Sequence, residues 1–108
     1  MKRDLLYLYD TSGNWIAFKI GRNLFNNDAN WIGWFPWDDK VAVNTKGEYL
    51  GEIFGGNRLL KAYIHVIYPY PGYPGYPGSP GYPGYPGFAG YKYIPGTYDI
   101  DKNELKGD

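Results

Sequence analysis

The side chains that could act as a nucleophile, a base or a metal ligand are few and scattered along this sequence. Cysteine is absent, serine occurs only at Ser12 and Ser79, and the single histidine is His65. A covalent hydrolase needs a nucleophile, a base and a group that orients the base. These residues lie in predicted turns, loops and a strand that do not assemble such a set. We therefore predict no catalytic, cofactor-binding or metal-binding residues, and a protein that is not an enzyme.

The acidic residues that could pair for catalysis fall mostly at predicted turns: Asp10, Asp28, Asp38 and Asp39. Aspartate favours turns because its side chain bonds to its own backbone. Asp38 and Asp39 are adjacent, so on a strand their carboxylates would point apart, whereas a glycosidase needs two carboxylates facing across a cleft. Residues 99–103 begin like a calcium-binding loop, but Glu104 stands where that loop requires glycine. The acids therefore indicate turns.

Aromatic rings are the remaining candidates for binding, since 20% of the residues are aromatic, including 13 Tyr and 4 Trp. Trp34, Phe35 and Trp37 surround Pro36 in a predicted turn, where they could stack on sugar rings or on proline-rich peptide. Core packing explains these rings equally well, because tryptophan is often half-buried. A further hypothesis is that the cluster holds the chain's own Tyr-Pro-Gly segment, or that of a neighbouring copy.

That low-complexity segment supplies a second set of rings. Glycine recurs at every third residue over 72–90, and the repeating unit is Tyr-Pro-Gly, with Ser79 and Phe88 as substitutions. Three conformations stay open: a turn-rich or polyproline-II loop, a collagen-like triple helix, for which the run is short, and an extended ribbon that self-associates. The predicted interaction residues are Trp34, Trp37, Tyr70, Tyr73, Tyr76, Tyr82 and Tyr85.

The charge balance bears on partners. Eleven basic and eleven acidic residues give a net charge of zero, which leaves no basic excess for nucleic acid or anionic lipid. No apolar run reaches the length of a signal peptide or a transmembrane helix, so we expect no membrane insertion and, by default, a cytoplasmic location with unconventional export left open. The expected partner is protein, in a homo-oligomer, with glycan as the second candidate.

The backbone that positions these residues repeats itself. Residues 9–18, 25–34 and 43–52 align without gaps on the pattern apolar, Asp/Asn, two polar, Gly/Ala, polar, aromatic, Ile/Leu, Ala/Gly. Asp or Asn opens a type I turn and the glycine accepts positive φ, so each copy predicts a β-hairpin. Ala29 replaces the glycine in the second copy, whose turn should differ slightly. By strand alternation, the aromatic and the small residue are predicted to share one face and the aliphatic residue the other.

A fourth hairpin is predicted to be interrupted. Its first strand begins near Arg58, residues 62–68 continue in strand conformation, and the return strand is expected at 92–95. We predict an all-β, pseudo-symmetric repeat of about four hairpin petals and eight short strands, with the Tyr-Pro-Gly insertion in the fourth hairpin. The predicted domains are a hairpin-repeat domain over 1–68 plus 91–98, the insert over 69–90, and a polar C-terminal tail over 99–108.

Residues 8–10, 13–18 and 49–51, at this spacing, resemble the four-fold β-flower proteins of bacteria. The resemblance covers 5–60 well and 92–95 weakly. The resemblance implies four hairpin petals around a pseudo-four-fold axis. The family has no established biochemical activity, so the resemblance implies no catalytic residue. A small meander barrel of about eight strands makes the same local demands and stays open as an alternative.

These patterns together predict a non-enzymatic structural or protein-interaction module that self-associates through the Tyr-Pro-Gly segment. The alternative is a carbohydrate-binding module that uses exposed aromatic rings: Trp34, Trp37 and the repeat aromatics Trp15, Trp31 and Tyr49.

Overall fold

Antiparallel strands make up the framework of the protein, and the computed structural model describes residues 4–107. In chain order the strands are β1 (Leu5–Tyr9), β2 (Trp15–Ile20), β3 (Asn23–Asn26), β4 (Trp31–Trp34), β5 (Val41–Asn44), β6 (Tyr49–Phe54), β7 (Arg58–Ala62) and β8 (Thr97–Tyr98). A single-turn 3-10 helix spans Lys102–Leu105. The predicted all-β fold class is confirmed.

The strands β1 to β7 form a meander that closes on itself. Each strand pairs antiparallel with the next, and β7 then pairs with β1. Because neighbouring strands of a meander alternate in direction, the first and the seventh run the same way, so the closing pair is parallel. Tyr9 lies opposite Arg58, and the Tyr9 N–H donates to the carbonyl of Asn57 at 2.9 Å. The result is a closed barrel of seven strands, with β8 paired only to the end of β7.

An Asn or Asp side chain opens each of the three predicted hairpin turns. In the second turn, Asn26 Oδ1 accepts hydrogen bonds from the backbone N–H groups of Asp28 (2.9 Å) and Asn30 (3.0 Å). Asn44 accepts the corresponding pair in the third turn at 2.9 and 3.0 Å. Asp10 accepts from the residue four positions on in the first turn, at 2.8 Å. This is the local bonding that makes these residue types favour turns.

The fourth residue of each turn has a positive φ. The angle is 91° at Gly13 and 84° at Gly47, and the alanine at position 29 adopts 64°. The left-handed region costs an L-residue roughly 1–2 kcal/mol, which glycine avoids. Ala29 therefore follows the pattern of the two glycines at a smaller angle and at an energetic cost.

A β-bulge follows each turn, at the aliphatic position of the pattern. In the first hairpin, Trp15 and Ala17 lie opposite successive residues of β1, which leaves Ile16 as the extra residue. Ile32 and Leu50 are left over in the same way in the second and third hairpins. An extra residue shifts the alternation of side chains. The aromatic and the small residue therefore point to opposite faces, and the prediction that they share a face was wrong.

The barrel interior is filled by small and aliphatic side chains and one aromatic ring. This interior cluster consists of Leu8, Ala17, Leu24, Ile32, Phe35, Ala42, Leu50, Leu59 and Ile100. The small positions allow close approach, since a Cβ at Gly33 would meet the carbonyl oxygen of Val43, and one at Gly51 would lie 2.7 Å from Ile100 Cδ1.

The C-terminal residues 99–107 differ from the predicted polar tail. Ile100 is only 6% exposed in the interior cluster, and Leu105 packs against the same cluster. Asn26 Nδ2 donates to the Leu105 carbonyl at 2.9 Å, and Lys61 pairs with Glu104 at 2.9 Å. This segment therefore covers one part of the core.

The fourth hairpin also differs from its prediction. Strand β7 ends at Ala62, so His65 lies outside it, and residues 92–95 form no strand. Instead β7 pairs with Thr97 and Tyr98, which places the loop 63–96 between two paired strands.

Ile100→Ala should lower the free energy of unfolding by about 2–4 kcal/mol, because it removes buried methyl groups and leaves a cavity. Urea denaturation of this variant and of Ile67→Ala provides the measurement. Ile67 is 88% exposed, so its substitution should stay within about 0.5 kcal/mol of the parent. Equal effects of the two substitutions would contradict the placement of Ile100.

Candidate functional site

The aromatic positions of the first two hairpins lie in one cluster of rings on the outer face of the barrel. This outer cluster consists of Tyr9, Trp15, Phe18, Phe25 and Trp31. Phe18 and Phe25 stack across β2 and β3, with centroids 5.3 Å apart and planes at 22°. Trp15 and Trp31 are only 7% and 9% exposed. Another part of the chain must therefore cover them.

The Tyr-Pro-Gly segment, residues 69–90, provides that cover. The Trp31 ring contacts the rings of Tyr73 and Tyr76 at centroid distances of 5.9 and 5.8 Å, with interplanar angles of 64° and 66°. Edge-to-face pairs at such distances contribute about 0.5–1.5 kcal/mol beyond the burial of area. One tryptophan of β4 thus holds two successive tyrosines of the repeat.

Trp15 makes the same kind of contact farther along the segment. Its ring lies 5.8 Å from Tyr82 and 6.0 Å from Tyr85, with interplanar angles of 60° and 57°. This second pair of tyrosines follows the first by nine residues, or three Tyr-Pro-Gly units. Ser79, where the repeat lacks its tyrosine, lies between the two pairs. We call each tryptophan with its two tyrosines a dock.

The third hairpin contacts the beginning of the segment and the residues before it. The Tyr70 ring lies against Gly47, where an added Cβ would be 2.5 Å from a ring carbon. His65 stacks on Tyr49, with centroids 3.6 Å apart and planes at 10°. Together with the docks, these contacts show that the segment crosses the hairpins in reverse order, from the third to the first.

Arg58 fixes the end of the segment to the closing pair of strands. Its guanidinium Nη1 donates to the carbonyls of Asp10 at 2.8 Å and Gly90 at 2.9 Å, and the side chain is 4% exposed. Its charge also lies over the Tyr9 ring, 5.9 Å from the centroid. The Ala89 N–H donates to the carbonyl of the first turn's glycine at 3.0 Å. These bonds join the segment to the first hairpin and to β7.

Positive φ at every glycine characterises the backbone of the segment. All seven glycines from 72 to 90 have φ between 78° and 96°. Polyproline-II helices have negative φ throughout, and collagen winds chains of that kind. Residues 69–90 form neither helix nor strand, and their glycines exclude a continuous polyproline-II or collagen-like helix.

Hydrogen bonds and burial determine the electrostatics below the segment. The Tyr49 hydroxyl donates to Glu52 at 2.7 Å and accepts from the Ala62 N–H at 2.9 Å. Burial raises the pKa of Tyr49, and the hydrogen bond and negative charge of Glu52 raise it further. The backbone N–H groups of Val41 and Lys40 lower the pKa of Asp38. Tyr49 is therefore a neutral bridge between β6 and β7, and Asp38 is an ionised turn residue.

The three rings of the predicted Trp34, Phe35 and Trp37 cluster lie in three different places. Trp34 is half-buried beside the outer cluster, and Phe35 is fully buried in the barrel interior. Trp37 stacks on Tyr68, with centroids 4.2 Å apart and planes at 24°. The three rings therefore do not form one shared binding surface. Trp37 is the one that stacks on a residue just before the segment.

Sequence reasoning did not pair Trp15 and Trp31 with the Tyr-Pro-Gly segment, because it placed them in the hairpin repeat and, under the carbohydrate alternative, among the sugar-binding rings. The predicted tyrosines Tyr73, Tyr76, Tyr82 and Tyr85 do lie together with them in the docks. The signal that could have found the docks is the position of the serine inside an otherwise regular tyrosine repeat.

This chain matches no protein-family model, no curated protein and no solved structure. Within residues 4–107, no helix has the length and apolar character needed to cross a membrane. In the same range, no three His, Asp or Glu side chains converge in the arrangement of a metal site.

Gly13→Ala should destabilise the protein about 1–3 kcal/mol more than Gly21→Ala. Both glycines have positive φ, so both substitutions incur the left-handed penalty of roughly 1–2 kcal/mol. At Gly13 the new Cβ would also meet the backbone of Gly90, whereas at Gly21 no described atom lies within 4 Å. Displacing that backbone would break hydrogen bonds worth about 0.5–1.5 kcal/mol each.

Urea denaturation followed by tryptophan fluorescence measures both variants. Equal losses of stability would mean that the end of the segment does not pack on the first turn.

Proposed function

We propose that this chain is a non-enzymatic protein-interaction module that self-associates through its Tyr-Pro-Gly segment. The observation that carries the proposal is the state of the four dock tyrosines. Each contacts a tryptophan on one side, yet each ring is 60–67% exposed. A ring already held in place loses less conformational freedom when a partner binds it. The segment therefore offers preorganised, largely free aromatic faces.

The surroundings of these rings also favour association. No charged residue occurs in 67–90, and the chain has no net charge, so copies of the segment do not repel one another. Large exposed apolar side chains continue on both sides of the docks: Ile64, Val66, Ile67, Tyr70 and Phe88. Contiguous apolar surface of this kind marks interaction sites on soluble proteins.

We further propose that the hairpins are copies of one repeat, as in the β-flower proteins that the sequence resembles. In support, the first three hairpins share the Asx-opened turn, the positive φ and the bulge position. The fourth copy is then β7 with β8, opened by an insertion within 63–96. In this arrangement the hairpin barrel is the platform and the insertion is the interacting element.

Carbohydrate binding is less well supported. Trp37 already has one ring face stacked on Tyr68, and Trp34 is half-buried, so each offers less ring surface to a sugar than a freely exposed tryptophan would. The cavity beside Trp37 measures about 180 Å³, below the roughly 300–1,000 Å³ of typical ligand pockets.

Molar mass by light scattering over a range of concentrations tests the proposed function. We expect the full chain to show concentration-dependent oligomers, and Tyr73→Ser/Tyr82→Ser to weaken the association about tenfold, because two exposed rings are lost at about 0.5–1.5 kcal/mol each. One tyrosine remains on each tryptophan, so the segment should keep its place.

Tyr91→Ser/Tyr93→Ser is the matched control, since it also removes two exposed rings but none from a dock. A monomeric full chain at every concentration, or equal masses for the two double variants, would refute self-association through the segment. Glycan binding that depends on Tyr73 and Tyr82, with the chain monomeric, would favour the carbohydrate role instead.

A further inference from the structure

The geometry points to a binding site that reads the register of Tyr-Pro-Gly repeats, formed by the two docks on the outer face of the first two hairpins. We propose that this site accepts the segment 69–90 of a second copy of the chain as well as its own. The inference rests on the proposed function and names its partner: a Tyr-Pro-Gly repeat with a nine-residue frame.

The tryptophans of the site are held by the hairpins themselves. The indole Nε1 of Trp15 donates to the carbonyl of Ala17 at 2.7 Å, across the bulge at Ile16. Trp31 occupies the same place next to the bulge of the second hairpin. The backbone of the barrel therefore orients the Trp15 ring directly, whereas the buried Trp31 indole N–H has no hydrogen-bond partner among the described residues and the ring is held by packing in the outer cluster.

The spacing of the docks selects a register. Trp15 and Trp31 lie on β2 and β4, two strand spacings apart, and about three residues apart along the strands. These offsets combine to a distance on the order of 15 Å. Nine residues in an extended polyproline-II helix would span about 28 Å. The positive φ at each glycine departs from that helix, and the two tyrosine pairs nine residues apart contact the two rings.

The sequence of the segment fits this frame. Tyr73 and Tyr76 contact one dock, Tyr82 and Tyr85 the other, and the serine at position 79 lies in the interval that neither tryptophan occupies. A shift of the repeat by one unit would put Ser79 against a tryptophan. The site therefore distinguishes between alignments of the segment that differ by one Tyr-Pro-Gly unit, which would be equivalent if every unit carried tyrosine.

A second copy of the segment is the occupant that the structure favours. The segment lies in the loop 63–96, outside the closed ring of strands, so it can leave the docks while the β7–β1 pair stays intact. Exchange between copies re-forms the same contacts, which makes it a low-cost route to oligomers. The chain's own segment competes at an effective concentration in the millimolar range for a flexible tether. Exchange should therefore grow with protein concentration.

A full-length variant with empty docks tests the site: Tyr73→Ser/Tyr76→Ser/Tyr82→Ser/Tyr85→Ser. The probe is a synthetic peptide of residues 71–90, which contains no tryptophan, so a change in tryptophan fluorescence reports on the protein alone, and which begins after Tyr70, so that a register shifted by one unit cannot fill both docks. We expect saturable binding. A peptide of the same composition with the residues at positions 76 and 79 exchanged should bind about tenfold more weakly, because one dock loses a ring.

Two results would overturn the inference. One is no saturable change in a variant whose circular dichroism matches the parent, and the other is equal affinity for the two peptides. If the variant does not fold, the parent chain replaces it. In NMR spectra at millimolar peptide, the indole signals of Trp15 and Trp31 should shift with the native peptide and less with the exchanged one. Unmoved indole signals would again overturn it.

The peptide experiment is independent of the light-scattering experiment. Oligomers that depend on Tyr73 and Tyr82, together with equal binding of both peptides, would retain the proposed function and reject the register site. Register-dependent peptide binding by a strictly monomeric parent chain would do the reverse, because it would show a specific site whose ligand is not exchanged between copies.

Discussion

The β-bulge that follows each hairpin turn is the constraint on which the rest of the structure depends. Strict alternation would put Trp15 and Ala17 on one face of β2. The extra residue, Ile16, separates them, so that the small side chain enters the barrel and the tryptophan leaves it. The same shift at Ile32 acts on the second hairpin. One short pattern thus produces both a narrow aliphatic interior and an aromatic outer face.

The number of strands decides where the Tyr-Pro-Gly segment can go. Seven strands close with a parallel pair, so β8 is left outside the ring and the loop 63–96 connects β7 to a strand that is not part of the ring. Arg58 lies at the closing pair and donates to the carbonyls of both Asp10 and Gly90. The guanidinium of Arg58 is buried, and no carboxylate bonds to it among the described residues. Its charge is stabilised by carbonyl dipoles instead, and one of these carbonyls, that of Gly90, comes from the segment.

Local chemistry could be predicted from the sequence, whereas pairing between distant segments could not. The turns followed from Asn26, Asn44 and their positive-φ partners, because those bonds lie within four residues. The predicted face of Trp15 was wrong, because the bulge at Ile16 depends on which residues of β1 lie opposite β2. Ile100 was missed because a single apolar residue among polar ones gives no periodicity, and its place is set by Gly51, far away in the chain.

The docks depend both on the local conformation of the segment and on its pairing with distant strands. This combination explains how weak contacts hold a segment with so little buried surface. Proline fixes one backbone angle in six of the seven units, which lowers the entropy cost of ordering 72–90, and glycine accepts the positive φ that follows. The ring contacts of the docks and the hydrogen bonds of Arg58 and Ala89 then place the segment. The position of Ser79 in the repeat fixes a register only because the bulges place Trp15 and Trp31 on the outer face at a set distance from each other. The local structure of the segment therefore makes it able to bind the docks, and the spacing of the two tryptophans on the barrel selects the register in which it binds.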